Sequence, residues 1–298
     1  MHRVLSPLAG LVAVVGGMAA ALGVFGRGSG TFSAVTSALG ERYEIAVDGV
    51  YAGSSRQLVA EGVGWDVFTL FVAAPVLLVA AVSVARGSFR ATLVATGILG
   101  YFAYLHLEYA VTWAFGPLFP LFVATLALSV LGLVAAAVTV TEDANRFDER
   151  FPRRSYAALT VGMSLLLTVM WAGRIAEALG AKVATLHGET TMTVQALDLG
   201  LVVPISIALA IGALRRSPAG LAAAAAFGVM FVAMSAAIAA MVVSASIVTG
   251  ELQLPPIVLF GLAAVAGLVL VRRMLASTTG GRPSVYTANW NTPVPAPG

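Results

Sequence analysis

Cysteine is absent from this chain of 298 residues, and lysine occurs once, at Lys182. The lack of cysteine excludes disulfides, thiol nucleophiles, zinc–thiolate sites and cysteine-ligated iron–sulfur clusters. Lys182 lies outside the apolar stretches, which excludes a retinal Schiff base inside a helical bundle. Of the three histidines, only His106 lies in such a stretch. We therefore expect neither a haem held by two histidines nor a metal site, and no cofactor.

Charged residues are also scarce. They make up 10% of the chain while 59% of it is hydrophobic, whereas a soluble domain carries about 25% charged residues. This composition argues against a water-soluble fold. The net charge of +3 does not indicate nucleic-acid binding, because the positions of the arginines explain it better. The expected partner is the lipid bilayer.

The sequence is rich in long apolar runs. A helix needs about 20 residues to cross a hydrocarbon core about 30 Å thick, and eight mostly apolar stretches of this length follow one another. The sequence therefore predicts an all-α integral membrane protein with about eight transmembrane helices. The predicted spans are 5–26, 65–85, 91–114, 118–140, 156–179, 194–214, 218–247 and 255–273.

The arginines predict the orientation. With eight spans, twelve arginines fall on one side, and the loops of the other side hold only Arg27, Arg42, Arg56 and Lys182. The positive-inside rule places the arginine-rich side and both termini in the cytoplasm, in a multi-pass protein of the inner (plasma) membrane. The first span could instead be a signal peptide, but its apolar run is longer than the apolar region of a typical signal peptide, which has about 7–15 residues. We expect a retained anchor.

Two halves of four spans are predicted, at 1–140 and 156–274. A cytoplasmic connector at 141–155 joins them, and a disordered tail follows at 275–298. Pro75 and Pro204 are each followed by arginine after eleven residues and by serine after thirteen. Such parallel repeats are one known transporter architecture. Apolar helices also align by chance, so the duplication stays open.

The largest segment outside the membrane is the outer loop at 27–64. Its dipeptide Asp48-Gly49 lies between β-prone residues, which predicts a small hairpin that turns at this point. The loop could be a lid over the bundle or simply a cap on its outer face.

A short helix is predicted at the end of this loop. Ser54 or Ser55 would cap its start, and Gly62 and Gly64 would end it.

The third predicted span holds the densest group of polar side chains. Spacings of three and four residues bring one set onto a single helical face. This set is Tyr101, Tyr104, Glu108 and Thr112. A neighbouring face carries His106, Tyr109 and Trp113. Because ionisable groups in a bilayer are costly and often functional, the first face predicts a pocket for a cation, a proton or a polar solute. The alternative is an outer aromatic belt, with Glu108 in a structural pair with arginine.

Arg174 and Glu177 in the fifth span are the predicted charge partners of this pocket. A buried arginine needs a carboxylate, because an unpaired charge in a low dielectric costs several kcal/mol. We expect a network of Glu108, Arg174, Glu177 and Asp198, with Asp66 at its rim. The spacing of three residues also allows a pair between Arg174 and Glu177 alone.

Two prolines lie below the outer aspartates. Pro75 follows Asp66, and Pro204 follows Asp198, so both helices should kink there. A broken helix beneath an acid can form an ion or solute site, as in transporters, or can be an ordinary kink that neighbouring helices satisfy.

The segment Asp66-Val67-Phe68-Thr69-Leu70 leading to Pro75, with Leu197-Asp198 leading to Pro204, resembles multi-spanning membrane proteins of prokaryotes. The resemblance implies an integral membrane protein with an outer aspartate on its second span. It implies no activity.

Three kinds of function fit these features. The first is a transporter or channel-like protein for a small solute or ion, with Glu108, Asp198 and Asp66 as cation or proton sites. The second is a non-catalytic sensor, assembly factor or subunit of a membrane complex. Its partners would be other proteins of that complex or further copies of this chain in a homo-oligomer. The third is an enzyme that acts on lipid or quinone, for which only His106 and Glu108 could serve as acid and base. No catalytic residue is assigned.

Overall fold

The structure is a computed structural model that describes residues 2–142 and 146–279. Helices α1 to α10 and one two-stranded sheet make up this part of the chain. In chain order the elements are α1 His2–Phe25, β1 Phe32–Thr36, β2 Arg42–Ala46, α2 Arg56–Phe68, α3 Ala74–Ala85, α4 Phe89–Thr112, α5 Phe119–Glu142, α6 Arg153–Gly180, α7 Thr193–Leu197, α8 Val203–Leu214, α9 Pro218–Thr249 and α10 Leu254–Ala276.

Seven helical stretches of the described residues are long and apolar enough to cross a membrane. Two of them are continuous through a π-helical turn, since α2 runs into α3 and α7 runs into α8. The protein is thus a polytopic helical membrane protein. The remaining predicted span corresponds to α4. Because of its polar residues, this helix is not apolar enough to be counted among the seven stretches.

Helix α4 lies inside the bundle, where it contacts α1, α3, α5 and α9. It runs antiparallel to α2 and α3. The Tyr101 hydroxyl lies 2.7 Å from Thr69 Oγ1, and two turns later the Tyr109 hydroxyl donates to the Gly62 carbonyl at 3.3 Å. Protein therefore surrounds the polar side chains of α4 and separates them from lipid.

Glycines allow α9 to approach both α2 and α4 closely. A Cβ on Gly64 would lie 2.5 Å from the carbonyl oxygen of Ala240, and one on Gly97 would lie 2.3 Å from that of Ala226. The prediction that Gly62 and Gly64 end a short helix is wrong, since α2 continues through both. These glycines are needed for packing between helices, and they do not terminate one.

Two π-helical turns interrupt the kinked helices, at Thr69–Ala73 and Asp198–Val202. Each begins six residues before a proline, Pro75 or Pro204. Proline lacks the N–H that would bond to the carbonyl four residues back, and the preceding N–H bonds five residues back instead. The wider turn changes the direction of the side chains at its start.

The spacing that the sequence showed after each proline has a structural counterpart. Ser88 caps the start of α4 by accepting from the Ala91 N–H at 3.3 Å. Ser217 caps α9 by accepting from the Gly220 N–H at 3.1 Å. Counted from the prolines, the position equivalent to Asp198 is Thr69 and not Asp66.

The outer loop contains a hairpin, but its turn is not at Asp48-Gly49. Strands β1 and β2 pair from Phe32 opposite Ala46 to Thr36 opposite Arg42, and the intervening turn contains a glycine with φ +84°. Asp48-Gly49 lies in the loop that follows β2 instead of joining the two strands, and the chain folds back there, since the Ala46 N–H donates to the Ser54 carbonyl at 3.0 Å and the Gly53 N–H donates to the Ala46 carbonyl at 2.9 Å.

The predicted helix cap in this loop is confirmed for one of the two serines. The Ser55 hydroxyl accepts from the Leu58 N–H at 3.2 Å and starts α2.

The opposite end of the bundle carries the arginine-rich segments. The Asp148 N–H donates to the Ser277 carbonyl at 2.9 Å, and Arg90 Nε donates to Thr278 Oγ1 at 2.7 Å. These bonds bring the segment after α5, the end of α10 and the start of α4 together. The predicted tail beyond Thr279 and connector residues 143–145 lie outside the described residues.

Large apolar side chains cover the outside of the bundle. Val79, Leu165 and Val265 are 69%, 64% and 61% exposed. Such a surface is unfavourable in water and is typical of helices that face lipid.

Candidate functional site

The Glu108 carboxyl is the centre of the candidate site. Glu108 is on the inward face of α4 and is only 8% exposed, yet within the described residues it makes no hydrogen bond and no ion pair. Its charge interacts with those of Asp198, Glu61 and Glu189. We call these four residues the acidic cluster. Like charges within electrostatic range of a buried carboxyl favour binding of a proton or another cation there, and no arginine or lysine pairs with these four acids among the described residues.

Asp198 is held from two sides at the start of its π-helical turn. Its Oδ1 accepts from the Tyr104 hydroxyl at 2.5 Å, and its Oδ2 accepts from Trp171 Nε1 at 2.8 Å. Tyr104 and Glu108 lie one turn apart on α4, as the sequence predicted from their spacing. Tyr101 is on this side too, but it pairs with Thr69.

Sequence reasoning missed Glu61 and Glu189. The sequence places Glu61 in a short helix of the outer loop that ends at the glycines after it, and so outside the membrane-spanning bundle. In the structure α2 continues past those glycines, and Glu61 Oε1 accepts from Gln57 Nε2 at 2.7 Å. Glu189, in the loop between α6 and α7, had no signal in the sequence.

Glu189 lies outside the membrane-spanning segments and has an unusual acidity. Its pKa is raised to about 7: burial is the largest cause, the backbone N–H of Thr193 opposes it, and the nearby charge of Glu61 adds to it. The group therefore changes its protonation near neutral pH.

Arg174 does not join the cluster. Its Nη1 bonds to Glu177 at 3.2 Å, and its Nη2 donates to the Thr185 carbonyl. Of the two pairings that the sequence left open, the one within α6 forms, and the expected network with Glu108 and Asp198 does not. The Glu177 side chain is 71% exposed. The pair therefore forms at the solvent-exposed end of α6, where both charged groups stay close to water.

Asp66 lies in a separate, sealed contact instead of at the rim of a network. It is 2% exposed, its Oδ2 accepts from the Tyr51 hydroxyl, and its Oδ1 lies 3.3 Å from the donating Tyr109 hydroxyl. A Cβ on Gly23 would overlap both Asp66 and Tyr51. This contact, which we call the Asp66 latch, ties the outer loop to α2 and α4 and leaves no room for a ligand.

His106 lies in the aromatic core, away from the acidic cluster. It is 2% exposed, and its Nδ1 lies 2.9 Å from the Phe102 carbonyl. Its ring contacts Phe102, Tyr109 and Phe122. No acid bonds to it among the described residues, so the arrangement is that of a packed core histidine.

A cap covers the outer end of the bundle. Glu41, the residue before β2, accepts from the backbone N–H groups of Leu186 and His187, both at 3.0 Å, and of Gly188 at 3.2 Å. His187 and Gly188 have φ of +54° and +86°, which aims consecutive N–H groups at one anion. The carboxylate thereby fastens the hairpin of the first half to the 181–192 loop of the second half.

We expect this fastening to weaken in acid. Burial alone would raise the pKa of Glu41, but the three N–H donors lower it below its usual value of 4.5. A carboxyl whose folded pKa is depressed stabilises the contact above its unfolded pKa and loses that contribution as the pH falls through the folded value. Hydrogen-exchange protection factors of residues 181–192 should therefore fall once the pH drops below about 4.5.

The Glu41→Gln variant should show the low protection already at pH 7. Glu44→Gln, three residues further along the same hairpin, is the matched control because the Glu44 pair with Arg56 is 46% exposed on both sides, and such pairs contribute little. Equal protection in wild type and Glu41→Gln would contradict the role of this carboxylate.

A metal site is not evident in the described ranges, where no three His, Asp or Glu side chains are arranged to hold a metal ion. Comparison with family models, curated proteins and solved structures finds no match to this chain. The chemistry of the site is therefore argued from its own geometry.

Proposed function

We propose that this membrane protein is a transporter or channel-like protein that moves a small cation or a proton-coupled solute, with the acidic cluster as its polar site. The supporting observation is Glu108, a nearly buried carboxyl that has no bonding partner among the described residues and lies within electrostatic range of three further acids. An isolated buried carboxylate is costly. A buried carboxyl without a partner is expected in a protein in which a proton or a transported cation binds to that carboxyl during part of the transport cycle.

The membrane topology is part of this proposal. Helix α4 has 24 residues, enough at about 1.5 Å per residue to cross the hydrocarbon core. It runs antiparallel to the α2–α3 span and is joined to α3 and α5 by short turns. Counting α4 gives eight spans, with both termini on the arginine-rich side. That side is cytoplasmic by the positive-inside rule, in an inner (plasma) membrane.

A duplication of four spans fits the same arrangement. The prolines, the π-helical turns and the serine caps recur at equal offsets. Helix α4 packs on α5 as α9 packs on α10, and α4 and α9 meet between the halves. We propose two parallel repeats, related by an axis along the membrane normal, with the acidic cluster beside the α4–α9 contact.

The transport role is tested in proteoliposomes that contain a pH-sensitive dye. A potassium gradient with valinomycin drives protons, in sodium-free and sodium-containing buffer, and the change of lumenal pH is measured. We expect flux above that of protein-free vesicles. We also expect Glu108→Gln to reduce it by about tenfold or more, since the variant cannot exchange a proton or balance a cation.

Glu177→Gln is the control, because its exposed carboxyl lies outside the cluster. Flux equal to that of empty vesicles, or unchanged in Glu108→Gln, would overturn the proposal. A stoichiometric partner that co-purifies with an inactive protein would then favour the sensor or complex-subunit role.

A further inference from the structure

Exposed arginines gather at the inner end of the second half of the bundle. They lie at the start of α6, in the turn between α8 and α9, and near the end of α10. All of them are exposed to the surroundings. We call this set the basic edge, and it consists of Arg154, Arg215, Arg216, Arg272 and Arg273.

Packing of the bundle brings the segments of the basic edge together. One core cluster contains Tyr156 of α6, Ala213 of α8, Ala222 of α9 and Met274 of α10. Tyr156, Ala213 and Met274 each lie one or two residues from an arginine of the basic edge. The arginines therefore flank the same buried cluster, although they come from distant parts of the chain.

The protein does not neutralise the charge of the basic edge within the described residues. None of its arginines forms an ion pair with an acid there. Asp148 and Glu149 are the acids with described side chains at this end of the bundle. Asp148 instead accepts from the backbone N–H of Arg150 at 2.8 Å. Positive charges that are held together without a counter-charge attract anions.

The turn before α9 has an arginine where the matching turn of the first half has a glycine. Counted from the prolines, Arg216 corresponds to Gly87. Both residues have a left-handed backbone, with φ of +56° at the arginine and +79° at the glycine. Glycine adopts this conformation without a steric cost, and arginine does not. The fold of the turn therefore does not explain the arginine, and its guanidinium group needs another role.

Lipid-facing side chains continue directly from the basic edge. Ile211 and Leu214 at the end of α8 are exposed, and so are Leu268 and Val269 of α10. A phospholipid carries an anionic phosphate above apolar chains, so it matches both the arginines and this apolar surface. A soluble phosphate or an acidic peptide matches the arginines alone.

We propose that the basic edge binds the headgroup of an anionic phospholipid. The guanidinium groups of Arg215 and Arg216 contact the phosphate, and the acyl chains lie on the exposed apolar side chains next to them. Arginine suits this role because its planar guanidinium donates two parallel hydrogen bonds to a phosphate. The proposal does not depend on the transport role, since it uses no residue of the acidic cluster.

Native mass spectrometry of the full chain in neutral detergent tests this site. Phosphatidylglycerol is added together with phosphatidylcholine that has the same acyl chains, so that the two lipids differ in the net charge of their headgroups. We expect the anionic lipid to bind at least about tenfold more tightly, since each arginine near an anionic lipid contributes about fivefold. An excess of glycerol phosphate should not displace it, because this anion has no acyl chains.

Arg216→Gly is the most informative variant, because it gives this turn the residue of the first half. It should weaken the binding of phosphatidylglycerol about fivefold and keep the unfolding temperature at or slightly above that of wild type. Adding Arg215→Gln should bring the loss to about 25-fold. Arg86→Gln is the matched control, since Arg86 corresponds to Arg215 but precedes Gly87. This control should bind as wild type does.

Equal affinity for the two lipids, or unchanged selectivity in the double variant, would overturn the proposal. An equal loss in Arg86→Gln would overturn its assignment to the second half. Displacement by glycerol phosphate would show that the basic edge takes a soluble anion and would overturn the lipid as its occupant.

Two further measurements keep the outcome clear. If the turn variants do not fold, Arg272→Gln with Arg273→Gln removes charge of the basic edge from another helix, and it should lower the selectivity as well. Unchanged selectivity there would also overturn the proposal. Glu108→Gln should leave lipid binding unchanged, so this proposal and the transport role fail separately.

Discussion

Alanine at position 97 should lower the thermal stability of the bundle by several degrees. Its methyl group would lie 2.3 Å from the carbonyl oxygen of Ala226 and 2.5 Å from the side chain of Val229. The nearest atom is helix backbone and cannot rotate away, so α4 and α9 must separate. Overpacking of this kind costs about 1–3 kcal/mol and occasionally more. Thermal unfolding of the purified protein, followed by tryptophan fluorescence, measures the effect.

Gly162→Ala is the matched control, since nothing lies within 4 Å of a Cβ there. Without a clash, alanine gains helix propensity of about 1 kcal/mol over glycine, and this variant should be as stable as wild type or slightly more so. A Gly97→Ala protein with wild-type stability would show that α4 and α9 do not pack backbone to backbone.

Asp66→Ala should detach the outer loop from the bundle. The substitution removes the acceptor of the Tyr51 hydroxyl and one of the two acceptors of the Tyr109 hydroxyl. A buried polar group that loses its partner costs about 1–3 kcal/mol, so the unfolding temperature should fall. Proteolysis within residues 27–55 should also become faster.

Asp66→Asn is the informative comparison, because the amide keeps one oxygen acceptor at nearly the same size. It should lose less stability than Asp66→Ala, and Tyr51→Phe should lose part of it as well. If all three variants resist protease and heat as wild type does, the Asp66 latch does not hold the loop.

The two halves differ in a way that bears on function. In the first half the aspartate of the second span is sealed by tyrosines, and α1 packs against α5. In the second half Asp198 lies beside an open cleft. If the halves arose by duplication, the first serves as the packed scaffold and the second keeps the accessible acid. The α4–α9 contact joins them.

The sequence by itself determined the helical elements and part of the site. Apolar runs located the seven helical stretches of the described residues that are long and apolar enough to cross a membrane. A serine placed before a helix marked the start of α2. The spacing along α4 put Tyr104 and Glu108 on one face. These features depend on neighbours within one helical turn, and local sequence contains that information.

Tertiary structure alone decided which charges meet. Arg174 had carboxylates within reach on its own helix and on others, and its position at the solvated end of α6 selected Glu177. Glu61 and Glu189 joined the acidic cluster through the paths of α2 and of a loop, which no local pattern encodes. Gly62 and Gly64 had the composition of a helix end, but the close approach of Trp113 and α9 gave them a packing role. The physical reason is distance along the chain, since contacts between far-separated segments depend on packing geometry that composition and periodicity do not specify.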